Sequence, residues 1–264
     1  MKQLILAAML AVGLCGGAHA ADDVALKAAV AAPTRTPANV ARDGARHPYE
    51  TLAFFGIKPT MTVVELSPSG GWYTEILAPY LRENGVLIGA SEEVVEGKRA
   101  GTQFRAKVNS NPIYSKVRLA VFEPPAKYAI APANSVDMVL TFRNLHNWIE
   151  LGPDKLAELL KNVHTVLKPG GVFGIVDHRL PASMTQDATA STGYLHQAWV
   201  IKTVQAAGFK LAASAEINAN PKDTADHPKG VWALPPVLAN KDDKRSDYLA
   251  IGESDRMTLK FVKQ

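Results

Sequence analysis

Between residues 62 and 262 the chain alternates short apolar, β-branched runs with longer segments that carry apolar residues at helical spacing. The first run is TVVEL at 62–66, and others follow at 86–90, 116–122, 136–142 and 172–176. Helical patterning occupies 72–82, 92–106, 153–167 and 194–207. The segment at 153–167 is the clearest, with Pro153 at its start, Leu156, Leu159, Leu160 and Val163 on one face, and Lys168-Pro169-Gly170-Gly171 to stop it. Strands that are apolar throughout need cover on both faces, so the pattern predicts parallel βαβ units in an α/β sheet with helices on both sides. Two further runs, at 210–217 and 257–262, break the alternation. Residues 218–256 between them are rich in Pro, Asp and Lys, without helical periodicity, which predicts an antiparallel last strand and an inserted loop.

The amino terminus stands apart from this pattern. Lys2 supplies a positive start, residues 4–14 form an apolar run, and Ala18-His19-Ala20 offers small residues where a signal peptidase reads them. That order describes a secretory signal peptide over 1–20, cleaved after Ala20. The apolar run is shorter than the roughly 20 residues a spanning helix requires. Lipidation at Cys15 is rejected, because Leu14 stands where a small residue is wanted. Cleavage would remove the one cysteine of the chain. The mature protein is expected in the periplasm, held together by its core rather than by disulfides. Residues 21–46, rich in Ala, Thr and Pro, read as a tether with a short helix at 24–32, and 47–264 as the folded domain.

The formal charge of +4 is small and dispersed, and the densest basic stretch, 241–245, is diluted by Asp242 and Asp243. Nucleic-acid binding is therefore not expected. Neither is stable membrane insertion after signal cleavage, since no second apolar segment is long enough to span a bilayer.

In an open α/β sheet, ligands bind beyond the carboxyl ends of the strands, where strand order reverses. After the first strand the chain reads Ser67-Pro68-Ser69-Gly70-Gly71 and then enters a helix. Small residues there let backbone N–H groups approach a ligand, and a helix amino end favours a negative group. Glu65 closes the apolar strand, where an unpaired carboxylate is costly. It is expected to organise the turn, to receive a ligand amino group, or to cap the following helix.

The stretch 65–73, ELSPSGGWY, resembles motif I of the class I methyltransferases, which bind S-adenosylmethionine. The match is closer to a bacterial group of exported methyltransferases, whose pattern residues 46–81 follow almost throughout. Leu167-Lys168-Pro169-Gly170-Gly171, Glu123 after the third strand, and SVDMV at 135–139 are further features of that fold. The resemblance implies a Rossmann-like seven-stranded methyltransferase sheet, mostly parallel with an antiparallel last strand. It implies S-adenosylmethionine as cofactor, bound by Glu65, Ser67, Ser69, Gly70, Gly71, Trp72 and Tyr73. Ser91 or Glu92 after the second strand would meet the ribose hydroxyls, and Glu123 the adenine amino group. Arg143 and Asn144 would complete the cofactor wall. The chain departs from the family pattern at Ser67 and Ser69, where glycine is usual. If position 69 takes a positive φ, serine there costs on the order of 1 kcal/mol.

The polar and aromatic segment 143–148 follows an apolar strand and is the expected boundary between cofactor and acceptor. Direct displacement asks the protein to align the acceptor and remove a proton, for which His146 and His178 are the candidate bases and Asn147 a neighbouring polar group. Trp232, in the insertion, is expected to fold over the pocket. No histidine pair has close ligand spacing, so no metal is expected. The expected acceptor is a small molecule. A binding module that kept the fold and lost catalysis is the alternative, motivated by the two serines, the displaced acid after the second strand, and a compartment that does not make the cofactor. An oxidoreductase is disfavoured by the absence of G-x-G-x-x-G.

Overall fold

A computed structural model describes residues 23–95 and 100–264. The expected signal peptide lies outside the described residues. In chain order the strands are β1 (Thr62–Leu66), β2 (Val86–Ser91), β3 (Arg118–Val121), β4 (Val136–Phe142), β5 (Leu167–Leu180), β6 (Leu195–His196), β7 (Phe209–Ala215) and β8 (Arg256–Lys263). The helices are α1 (Val24–Val30), α2 (Pro37–Val40), α3 (Asp43–Arg46), α4 (Pro48–Phe55), α5 (Thr74–Leu81), α6 (Ala100–Asn109), α7 (Leu145–Trp148), α8 (Pro153–Val166), α9 (Gln197–Ala206) and α10 (Arg245–Ile251).

The sheet order is β3-β2-β1-β4-β5-β8-β7, with two-residue β6 attached to β5. Strands β1 to β5 are parallel, whereas β8 runs antiparallel to both β5 and β7. This is the expected α/β sheet with its antiparallel final strand. Alternation along β1 explains the layering: Val64 and Leu66 pack with α8 and α9 residues on one face, and Val63 packs with α4 and α5 residues on the other. Glu65 therefore points to the α5 face, while strand order reverses between β1 and β4, directly beside it.

Three expectations need correction. Residues 23–46 are not a tether. Leu26, only 1% exposed, and Ala29 of α1 are buried in the cluster that holds Leu52, Phe55 and Ala78. Tyr80 Oη donates to Asp23 Oδ2 at 2.5 Å, and Arg35 forks onto both Asp43 oxygens at 2.6 and 2.8 Å. Two buried positions in a seven-residue helix make no visible stripe, which is why the segment reads as a linker. Of the helix expected at 92–106, residues 92–95 are not helical, because Val94 and Val95 stay exposed and this stretch has no apolar face to bury; α6 is described from Ala100 to Asn109. The insertion contains α10, whose one buried residue, Tyr248, gives no periodicity to detect.

Candidate functional site

The turn after β1 bends through three left-handed residues, Ser67 (φ 47°), Ser69 (φ 52°) and Gly71 (φ 73°). Ser67 N donates to Ala90 O and Gly71 N to Pro68 O, closing the turn against β2. Among the described residues the N–H groups of Ser69 and Gly70 have no backbone acceptor, leaving two donors beside the start of α5. Ser69 does occupy the strained conformation that glycine would enter freely.

Glu65 is 2% exposed and accepts a 2.5 Å hydrogen bond from Thr74 Oγ1, in the first turn of α5. Burial pushes its carboxyl up to about 7, and the Thr74 bond only partly offsets that. The carboxylate thus organises strand end and helix start, and a cation placed against it would be favoured.

From this turn a cavity of about 370 Å³ runs beyond the ends of β1, β4 and β5. Glu65, Ser67, Ser69, Gly70, Trp72 and Tyr73 line one side. Tyr73 is stacked on Phe142, ring centroids 3.5 Å apart. Arg143, Asn144, His146, Asn147 and His178 line the cavity as well. Asn144 is buried and its amide is committed, donating to Leu66 O and Thr141 Oγ1 at 3.1 Å each, so it ties β4 to β1. Asn147 is exposed at the rim. Trp232 closes the cavity together with Val231, Pro235 and Pro236, its ring 6.2 Å from that of His146. The insertion does fold over the pocket.

The expected adenosine-side residues fall outside this cavity. Glu92 is exposed, and Ser91 Oγ turns to Glu92 O. Glu123 lies 3.9 Å from Lys127 Nζ and pairs with Lys127 through its backbone. Register sets Ser91 beside Val121, so all three stand at the same sheet end as the cavity, farther along toward β3. Gly71 is also outside the lining, because its open face meets Thr74 and Lys107.

The ends of β4 and β5 bring together a cluster that chain spacing hides. Asp177 accepts hydrogen bonds from Leu145 N, His146 N, His178 N and the His146 ring, the last 2.8 Å from Nδ1 to Oδ1. A carboxylate filled by donors fixes the proton of a neutral His146 on Nδ1 and leaves Nε2 as a free lone pair. His178 Nδ1 lies 2.5 Å from Ser254 Oγ. Burial pushes the His178 imidazole well below its usual range, and the neighbouring His146 ring and guanidinium groups push the same way. Ligand atoms of His146, Asp177 and His178 lie within 4.8 Å of one another, a spacing a metal could use. The charge around them argues otherwise: Arg143, Arg256 and Arg46 all act on His178, and Asp177 is already filled. Arg179 faces away, ion-paired with Asp255 and Glu216.

Sequence reasoning missed Arg42, Arg46, Glu253 and Ser254, which also line the cavity. The Arg42/Arg46 pair at helical spacing, just before the ordered domain was expected to begin, was the available signal.

Residues 64–175 match the family model described as a methyltransferase domain. The fold resembles the Rossmann-like fold of methyltransferases of known structure. An uncharacterised methyltransferase of Synechocystis sp. is 31% identical over 143 residues, covering 52% of this chain and 54% of that protein. The chain thus spans about half the length of this curated relative. A structure from Aquifex aeolicus, described as a SAM dependent methyltransferase, superposes with TM-score 0.58 at 18% identity, covering 85% of this chain and 93% of that one. A possible exported protein from Bordetella parapertussis gives TM-score 0.51 at 14% identity, covering 87% and 70%. The turn at 65–71 offers a donor set for a ligand that carries both an amino group and a carboxylate: a buried carboxylate for the first, and two N–H groups without a backbone acceptor for the second.

Proposed function

We propose that this protein transfers a methyl group from S-adenosylmethionine to a small-molecule acceptor. The reading is carried by one observation: a continuous cavity joins the turn at 65–70 to His146, with Trp232 over it. When bound, the cofactor supplies an electrophilic methyl group on a sulfonium. Glu65 and the free N–H groups of Ser69 and Gly70 hold its amino-acid end. His146, aligned by Asp177, takes the proton that the acceptor's nucleophilic atom loses, through Nε2. Trp232 and Pro235 keep water from the reacting atoms. The amino-terminal charge, apolar run and A-x-A site support export to the periplasm. Recovery of the protein only from the cytoplasmic fraction, with Met1 retained, would overturn that placement.

A second reading, a binding module without catalysis, draws on the strain at Ser69 and on Glu92 and Glu123 lying outside the cavity. Incubation with methyl-labelled cofactor and periplasmic extract separates the two. Label in an extract component supports the enzyme; cofactor binding by titration without any transfer supports the module.

A further inference from the structure

The mechanism leaves a set of buried and half-buried cations unused. Arg42 and Arg46 come from the α2–α3 segment, Arg143 from the bend after β4, and Arg256 from the start of β8. Three of them share one carboxylate, Glu253: Arg42 Nε lies 2.6 Å from Oε1, while Arg46 Nε and Arg256 Nη1 lie 3.2 Å from Oε2. The guanidinium of Arg143 has no hydrogen bond or ion pair among the described residues, although it lines the cavity. Arg42 Nη2, Arg46 Nη2 and Arg256 Nε are buried without a partner, and the Arg46 side chain is only 4% exposed. Glu253, and Asp177 where it acts on Arg143, offset only part of this charge, and burial holds the Glu65 carboxyl up at about 7. Burial lowers Arg46 to about 9 and Arg143 to about 10, and the guanidinium groups repel one another. Uncompensated buried charge of this kind is costly unless a ligand supplies the counter-charge.

The position of the cluster says which ligand. Arg256 is the register partner of His178 on β5, and Arg143 N donates to Val176 O on the same strand. Arg143 and Arg256 thus stand over β5 and β8, while the Arg46 guanidinium lies over the Trp72 ring, 4.7 Å from its centroid, between them and the turn. The turn at 65–71 stands over β1 and β2, across β4, and has its own free donors for a carboxylate. We infer that the methyl acceptor is a small organic anion, whose carboxylate or phosphate is held by Arg143, on the β5–β8 side of the cavity, together with Arg46 and Arg42. This rests on the methyltransferase reading above. Forked guanidinium contacts suit such a group and hold it at a fixed distance from His146 and His178.

The test is titration of the exported, full-length mature protein with inorganic phosphate, alone and with saturating S-adenosylhomocysteine, the demethylated cofactor. Phosphate is expected to bind in both conditions. Binding should weaken by about tenfold or more in Arg143→Gln, which removes one charge-assisted partner. That variant breaks no hydrogen bond and should unfold at a temperature equal to or above wild type. Arg46→Lys, which keeps the charge but loses the fork, should also bind phosphate more weakly. Displacement of phosphate by S-adenosylhomocysteine would assign the arginines to the cofactor carboxylate and overturn the proposal. So would phosphate affinity unchanged in Arg143→Gln, or no phosphate binding at all. Failure of S-adenosylhomocysteine itself to bind would instead overturn the methyltransferase reading, a result the phosphate arm keeps separate.

Discussion

His146 Nδ1 sits 2.8 Å from Asp177 Oδ1, and the other oxygen of that carboxylate receives the backbone N–H of Leu145 and of His146. One buried acid from β5 therefore caps α7 and orients the imidazole that α7 carries. Cap, tautomer and ring direction depend on a single side chain, so a change at Asp177 should be felt in stability and in turnover together.

Replacing His146 by alanine should leave cofactor affinity nearly intact and lower turnover by ~10²–10⁴, the range for loss of a general base. Asp177→Asn should lower turnover as well and cost about 1.5–3 kcal/mol of stability, because a buried charged acceptor is lost. Single-turnover kinetics and thermal denaturation read the two effects. Full-rate transfer by His146→Ala would remove the base assignment.

The raised pKa of Glu65 has a definite sign. Between its ordinary value of 4.5 and about 7, the folded chain holds this proton and the unfolded chain does not. Its contribution to stability is therefore lost as pH rises through that window, by roughly 3 kcal/mol in total. Glu65→Gln should flatten this part of the stability–pH curve. A cofactor ammonium against Glu65 draws its pKa back down, so binding should tighten as pH rises from 5.5 to 7.5 and release a proton. Titration in buffers of different ionisation enthalpy measures that proton, and its absence would place the amino group elsewhere.

Ser69→Gly should stabilise the protein by on the order of 1 kcal/mol, since Ser69 stands at φ 52°. Cofactor affinity should be equal or higher. Gly71→Val should do the reverse, because φ is 73° and a Cβ would press on Thr74 and Lys107 at 3.2–3.3 Å. Denaturant melts and cofactor titration of both variants decide the matter; a Gly71→Val protein that binds normally would make the turn merely structural.

Leu26→Ala should destabilise the fold by about 2–5 kcal/mol, as for a buried leucine elsewhere in a core. A chain lacking residues 23–46 should lose the cooperative transition altered by that mutation, and with it the Arg42 and Arg46 walls of the cavity. An unchanged melting curve for Leu26→Ala would return the segment to the status of a tether.

The order of strands and helices was legible in the chain because it is a local property. TVVEL is apolar on successive residues only if both faces are covered, and Leu156, Leu159, Leu160 and Val163 repeat at the helical period. The turn at 65–73 was legible for a related reason: small residues between a strand and a helix mark a backbone that must bend sharply. The lid was half legible, since Trp232 stood out in a loop whose folding over the pocket had no local signature. The helix at 24–32 was legible, but its docking into the core was not, because alanines bury without contrast. What only the tertiary structure decided are relations between distant positions. Asp177 meets His146 because β5 lies beside β4, and Arg42 and Arg46 meet Glu253 across more than 200 residues of chain. Strand alternation sets which residues face a given layer, but charge balance is summed over everything that reaches the cavity, and that sum exists only once the sheet is assembled.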